Sequence, residues 1–265
     1  MDGVDNDQLL ALLQEVAAEI VTPRFRSLAA HEVMEKNPGD LVTVADRESE
    51  LAIAARLQDA YPDALIVGEE AVSADPSILQ KTADADHWFT VDPIDGTKNF
   101  VNGSPDHALM VAEMCGTEVV RGVIWQPEYK TAYVAERGAG AFRNGDRLQP
   151  IARAQDSLSG HTSRRSLLNE RIGDLPPLAL SWVCCGVDYP HLALGDADFL
   201  LYGGSMPWDH APGSVLLTET GGVVGYADGC DYDPTSQQTP LLAAGDDETF
   251  ARVRRALADD SAFSA

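Results

Sequence analysis

The chain has no uninterrupted apolar run of about 18 residues, the length a membrane-crossing helix needs, so no span is expected. Positive charge is scarce: 19 Lys and Arg stand against 42 Asp and Glu, for a formal charge of −23. Nucleic acid and anionic membranes demand basic patches. The small clusters Arg164-Arg165 and Arg252 with Arg254-Arg255 read as solvated faces, so neither partner is expected. Cysteine is limited to Cys115, Cys184, Cys185 and Cys230, with no Cys-x-x-Cys spacing, which reads as reduced, buried thiols of a cytoplasmic protein. Met1 to Asp7 lacks the basic start and apolar segment of a secretory signal, in line with that location. Gly138-Ala139-Gly140 lacks the third glycine and the strand-to-helix context of a nucleotide-binding loop, and reads as a hairpin cluster.

What is present is a chain of 265 residues, long enough for a proper core and for one or two domains. Its organising stretch is Trp88 to Phe100. The apolar Trp88-Phe89-Thr90-Val91 reads as a buried strand, and Asp92-Pro93-Ile94-Asp95-Gly96-Thr97 then breaks it with turn-forming residues. Pro93 fixes one torsion, so Asp92 and Asp95 emerge together around a stiff turn. Paired carboxylates beside free carbonyls suit a hard cation such as Mg²⁺, Mn²⁺ or Ca²⁺. An Asx-turn capping a helix is the other reading of the same residues. Gly96 and Thr97 offer backbone N–H groups and a hydroxyl where a phosphate could dock.

Around this stretch, leucines and valines at spacings of three and four predict an amphipathic helix over Asp7 to Leu28, weakened near Pro23. A second helix is expected from Asp46 to Ala60, with Asp46 as its N-cap. Ala64 to Val67 reads as a strand ending at Gly68-Glu69-Glu70, and Ala71 to Asp86 as a polar connection. Strands at His107–Met114, Glu118–Trp125, Thr131–Ala135 and Ala141–Arg143, separated by turn signals, predict an antiparallel meander. A boundary near Pro150 to Ser157 separates an α+β half, 1–150, from an alternating half, 151–265. The second half carries strands at Leu178–Cys184, Phe199–Tyr202, Val223–Tyr226 and Leu241–Ala244. Its helices are expected at His191–Leu194, from Asp209 through Ser214–Thr220 with Pro212 in the first turn, and at Glu248–Ala258.

Three segments, Val67-Gly68-Glu69-Glu70, Asp92-Pro93-Ile94-Asp95-Gly96-Thr97 and Pro207-Trp208-Asp209-His210-Ala211-Pro212-Gly213, resemble the signature segments of the inositol monophosphatase family. The likeness extends through Asp40 to Asp46 and covers most of the chain. It implies an α+β fold, a layered αβαβα sandwich of the inositol monophosphatase and fructose-1,6-bisphosphatase type, and a Mg²⁺-dependent, lithium-sensitive phosphomonoesterase. Two or three Mg²⁺ ions are implied, with Mn²⁺ as a substitute. One would be held by Glu69, Asp92 and the Ile94 carbonyl, another by Asp92, Asp95 and Asp209. Glu70 and Thr97 would position the attacking water, with Asp46 behind them; Gly96, Thr97, Asp95 and Asp209 would contact substrate, and Lys36 would lie near the metals. His210, with no second histidine at ligand spacing, is read as a packing residue or as a support behind the metal ligands.

Many inositol-hydrolysing relatives carry a glutamate seven residues before the aspartate matching Asp209. Here that place is Tyr202, and Asp188 is the candidate substitute hydroxyl acceptor. The resemblance ranks inositol monophosphate first as substrate, then a sugar bisphosphate such as fructose 1,6-bisphosphate, then histidinol phosphate. A non-catalytic regulatory binding protein on the same fold is a further reading. A homodimer is expected from the family.

Overall fold

The computed structural model describes residues 4–151 and 158–259. Helix α1, Asn6–Val16, starts at a capping box between Asp5 and Gln8, and its apolar face buries Leu9, Leu12, Leu13 and Val16. The expected continuation to Leu28 does not form as α-helix. The chain loosens into a π turn, Ala17–Val21, and then a 3₁₀ turn, Thr22–Arg24. Pro23 explains this: it donates no N–H and its ring crowds the carbonyl one turn back. Strands β1, Val33–Asn37, and β2, Asp40–Thr43, form a hairpin about the turn Pro38-Gly39.

Helix α2, Val44–Ala60, is capped by Thr43 rather than by Asp46. Asp46 is the third helical residue, and its carboxylate closes the box onto the Thr43 amide at 2.8 Å. Strand β3, Leu65–Gly68, leads into α3, Glu69–Ala74, and α4, Ser77–Gln80, so the expected connection after Ala71 is largely helical. Strand β4, His87–Asp95, runs further than expected. It pairs with β5, Ala108–Cys115, on both sides of Pro93, with a register shift between Asp92 and Asp95. A bulge is where a strand tolerates a residue without an N–H. Helix α5, Thr97–Val101, follows at once.

The meander forms as expected: β5 is followed by β6, Glu118–Gln126, β7, Thr131–Glu136, β8, Gly140–Arg143, and β9, Asp146–Arg147. These build a seven-stranded sheet of order β3-β4-β5-β6-β7-β8-β9, in which only β3 and β4 run parallel. The expected boundary at 150–157 falls mostly outside the described residues.

A second sheet contains β10, Gly160–Thr162, and β11, Ala179–Leu180, which is far shorter than the strand expected over Leu178–Cys184 because Cys184 already opens helix α6, Cys185–Leu194. Strand β12, Phe199–Tyr202, helix α7, Pro207–Thr218, strands β13, Val223–Tyr226, and β14, Leu241–Ala244, and helix α8, Asp247–Asp259, complete the chain. The sheet order is β11-β10-β12-β14-β13. Pro207 starts α7, a position where its missing N–H costs nothing, so Pro212 falls in the second turn rather than the first.

The layers stack as α1 and α2, the seven-stranded sheet, α6 and α7, the five-stranded sheet, and α8. This is the αβαβα sandwich. Apolar clusters fill each interface: Leu13, Ile53, Phe89 and Phe100 under α1 and α2, Tyr189, Leu192, Val215 and Leu216 between the sheets, and Phe199, Leu242 and Val253 under α8. Helix α7 lies so close to β6 that a Cβ on Gly122 would stand 2.7 Å from the Pro212 carbonyl oxygen. All four cysteines are free, but Cys115, at the end of β5, and Cys230 are exposed, against the expectation that all are buried.

Candidate metal centre

The carboxyl end of β4, the start of α3 and the first turn of α7 meet at one place. There Asp92, Asp95 and Asp209 each offer a carboxylate oxygen within 4.8 Å of the others. Asp92 and Asp95 are buried, and Asp92 Oδ1 has no hydrogen-bond partner. A buried acceptor without a donor is costly, and three mutually repelling carboxylates more so. Burial, then the charges of Glu69, Asp95 and Asp209, drive the Asp92 carboxyl well above the usual range. Burial, with Asp95 and Glu69, does the same to Asp209. An all-oxygen donor set of this kind fits a hard divalent cation.

Glu69 stands just outside that trio. Its Oε1 accepts from Lys36 Nζ at 2.7 Å, and Glu70 Oε1 accepts from the same ammonium at 2.6 Å. The β1–β2 hairpin thus lays one cation across both glutamates. Burial lowers the Lys36 pKa, but the two carboxylates outweigh it and raise it. Glu69 is pushed up to about 7, by burial first. Replacing Lys36 by Gln leaves two crowded carboxylates unpaired. The metal-free variant should lose about 2 kcal/mol of stability in denaturant titration, less than a deeply buried pair because the glutamates keep some solvent contact. Saturating Mg²⁺ should shrink that deficit.

Glu50 is a contributor that sequence reasoning missed. Buried on α2, it accepts from the amides of Glu70 at 2.7 Å and Ala71 at 2.8 Å, fixing the turn from which Glu69 and Glu70 project. Gly68 allows this approach, since a Cβ there would overlap the Glu50 carboxylate at 2.2 Å. The signal was available: Asp46 and Glu50 lie one helical turn apart on the buried face of α2.

Thr97 opens α5. Its hydroxyl lies 3.1 Å from Asp46 Oδ1 and 3.1 Å from the Ile94 carbonyl, while Asp46 Oδ2 is held by the amide and hydroxyl of Thr43. Burial raises the Asp46 carboxyl to about 6, despite those donors. Gly96 is left-handed, at φ +79°, and turns the chain from Asp95 into α5.

Two expected substrate contacts sit elsewhere. Tyr202 is 2% exposed in the core between the sheets, stacked on Tyr189 with centroids 5.7 Å apart and packed edge-on against His210 at 4.6 Å. Strand alternation explains this, because β12 is central to its sheet and buried on both faces. Asp188 is 1% exposed and accepts from the Trp182 amide at 2.7 Å, with the Tyr202 hydroxyl beside it. Its carboxyl is raised to about 8 by burial. His210 is buried against both tyrosines, its Nδ1 3.1 Å from the Tyr189 hydroxyl, as a packing residue would be.

The corner before α6 is strained. Val183 has φ +59°, a left-handed conformation that a β-branched residue avoids. It is held there by Ser181 Oγ on its amide at 3.1 Å and by Asn99, whose Nδ2 donates to the Trp182 carbonyl at 3.0 Å. Val183→Gly should relieve about 1–2 kcal/mol of strain and lose part of it to unfolded-chain entropy, a net gain of about 0.5–1 kcal/mol visible as a higher melting temperature.

The profile of the inositol monophosphatase family matches residues 5–259. The chain belongs to that family. Inositol monophosphatase 1 of Homo sapiens is 30% identical over 258 residues, covering 92% of this chain and 90% of its own. A protein named Nus factor SuhB from Pseudomonas aeruginosa is 31% identical over 227 residues, 78% of this chain and 80% of its own. Among solved structures, the IMPase of Thermotoga maritima superposes with a TM-score of 0.77 at 26% identity, covering 95% of this chain and 97% of that one. The inositol monophosphatase family consists of Mg²⁺-dependent phosphatases, and this chain is a phosphoric monoester hydrolase acting on phosphate esters.

Proposed function

We propose that the chain hydrolyses a small polyol or sugar phosphate monoester, inositol monophosphate first among them, at divalent cations held by Glu69, Asp92, Asp95, Asp209 and the Ile94 carbonyl. The observation that carries this reading is the unpartnered Asp92 Oδ1, buried inside a trio of converging carboxylates. When bound, the cations supply Lewis-acid stabilisation of the phosphoryl oxygens and a lowered pKa for the attacking water. The protein's own part is positioning. The Thr97 hydroxyl lies between two acceptors, Asp46 Oδ1 and the Ile94 carbonyl, and donates its single proton to one of them, which leaves its lone pairs to accept from a water. Glu70, whose Oε1 now accepts from Lys36 at 2.6 Å, is the carboxylate that would take that water's proton. The amide of Thr97, at the start of α5, would donate to the phosphate, while that of Gly96 is already turned to the Asp95 carboxylate, and no nucleophilic side chain is required.

Two Mg²⁺ ions, with Mn²⁺ as substitute, and a homodimer in the cytoplasm belong to the same reading. Light scattering should give twice the 28.4 kDa chain mass. The deciding assay is a panel of inositol monophosphate, fructose 1,6-bisphosphate and histidinol phosphate with Mg²⁺, with and without Li⁺. Fastest release from inositol monophosphate, inhibited by Li⁺, is expected. Equal release from every ester would refute the inositol preference. No release from any would favour a binding role.

A further inference from the structure

Asp95, at the end of β4, is also tied to the start of helix α6. Its Oδ2 accepts from the Gly186 amide at 2.5 Å and lies 3.0 Å from the Cys184 sulfur. A carboxylate can only accept, so the proton in the second contact belongs to the thiol. The same sulfur lies 3.5 Å from the Asp95 carbonyl, and Cys184 is 3% exposed. It is wedged into the turn: a Cβ on Gly96 would stand 3.0 Å from the Cys184 Cβ. Behind it, left-handed Val183 aims the first turn of α6 at Asp95. Helix N–H groups and their partial positive charge favour an anion there.

We propose that Cys184 is a positioning residue: with the amide of Gly186 it occupies Asp95 Oδ2, so that Asp95 meets a cation through Oδ1 alone and in one orientation. This rests on the reading of Asp95 as a cation ligand. The contact is not one that packing alone would select, because a buried thiol can sit against any apolar wall and here its sulfur is directed at a charged oxygen. Without the thiol, the carboxylate keeps only its backbone donors, the amides of Gly186, Gly96 and Cys185, and loses the one side chain that fixes the tilt of Oδ2. Cation affinity should then fall while folding survives, since an alanine fits within the space of the cysteine.

The test is Mg²⁺ binding by calorimetry to the full-length chain, with Cys184→Ala, Cys184→Ser and Asp95→Asn side by side and folding checked by circular dichroism. Loss of one hydrogen bond from a weak thiol donor, worth about 0.7–1.4 kcal/mol, predicts an about threefold to tenfold weaker Mg²⁺ affinity for Cys184→Ala. The Cys184→Ser variant, which keeps a donor, should stay within about twofold of the parent. Unchanged affinity in Cys184→Ala would overturn the proposal, as would an equal loss in Cys184→Ser. If Cys184→Ala does not fold, the serine variant decides alone: near-parental affinity supports positioning, and an alanine-like loss of about tenfold refutes it. Asp95→Asn separates the two claims. Should it bind Mg²⁺ as the parent does, the ligand reading itself fails; should it lose Mg²⁺ while Cys184→Ala does not, only the positioning role fails.

Discussion

Asp95→Asn should lower phosphate release by about 10²-fold or more at saturating substrate, with the protein still folded. Two consequences of the geometry combine in this variant. The amide presents no charge to a cation, which removes one member of the trio with Asp92 and Asp209. It also puts an NH₂ group where an acceptor is needed: if the amide nitrogen faces the Gly186 amide and the Cys184 thiol, donors meet a donor, and if it faces inward, the cation does. Excess Mg²⁺ should recover only part of the rate. Full activity in Asp95→Asn, measured as released phosphate, would remove Asp95 from the centre.

Metal-free protein should become less stable between pH 6.5 and 8.5, and Mg²⁺ should reverse the part of that loss owed to the carboxylates that hold it. Asp188 is raised to about 8 and Glu69 to about 7, both by burial first. A carboxyl whose folded pKa exceeds its unfolded value holds a proton that the unfolded chain has released. Its stabilisation is complete below the unfolded pKa and disappears as pH rises through the folded one. Asp46 and Asp95, each near 6, have given up most of their share by pH 6.5. Below that pH, His107, lowered to about 4, and His210, lowered to about 3, act in the opposite sense, because burial disfavours their protonation. Above about pH 7.5, where the unfolded histidines are also neutral, the slope belongs to the acids alone. Denaturant midpoints in EDTA should fall from pH 6.5 to 8.5. Asp188→Asn should flatten the upper part of that curve, since its amide oxygen still accepts from the Trp182 N–H while no charge is buried. A midpoint that rises with pH in EDTA would show that these carboxyls are not strained by burial.

The parts of the fold that local chemistry dictates were legible. Alternating and β-branched residues between Gly and Asn-Gly turns gave the meander from β5 to β8, and the central apolar runs gave β12, β13 and β14. What escaped was decided by partners distant in sequence. Thr43 caps α2 because Asp46 returns its hydrogen bond, and either residue could have been the cap on propensity alone. Pro93 did not end β4, because a bulge absorbed it in a strand already paired on both sides. Residues 71–80 became helical although polar, since Val72 and Leu79 bury against Trp88 and Trp208.

For the centre, the carboxylates themselves were visible as strand-end and helix-start residues. Their supports were not. Glu50, Cys184 and the Gly186 amide come from α2 and α6, and each acts through a backbone or side-chain contact that no local pattern announces. Tyr202 shows the converse error. Its distance in sequence from Asp209 suggested the cleft, yet the pairing of β12 with β10 and β14 turns it into the core.

Anomalous diffraction from crystals soaked in Mn²⁺ tests the central claim most directly. Strong peaks bounded by Asp92, Asp95 and Asp209, with Glu69 released from Lys36 towards them, are expected. A fully active crystal form with no peak among those carboxylates would contradict the account.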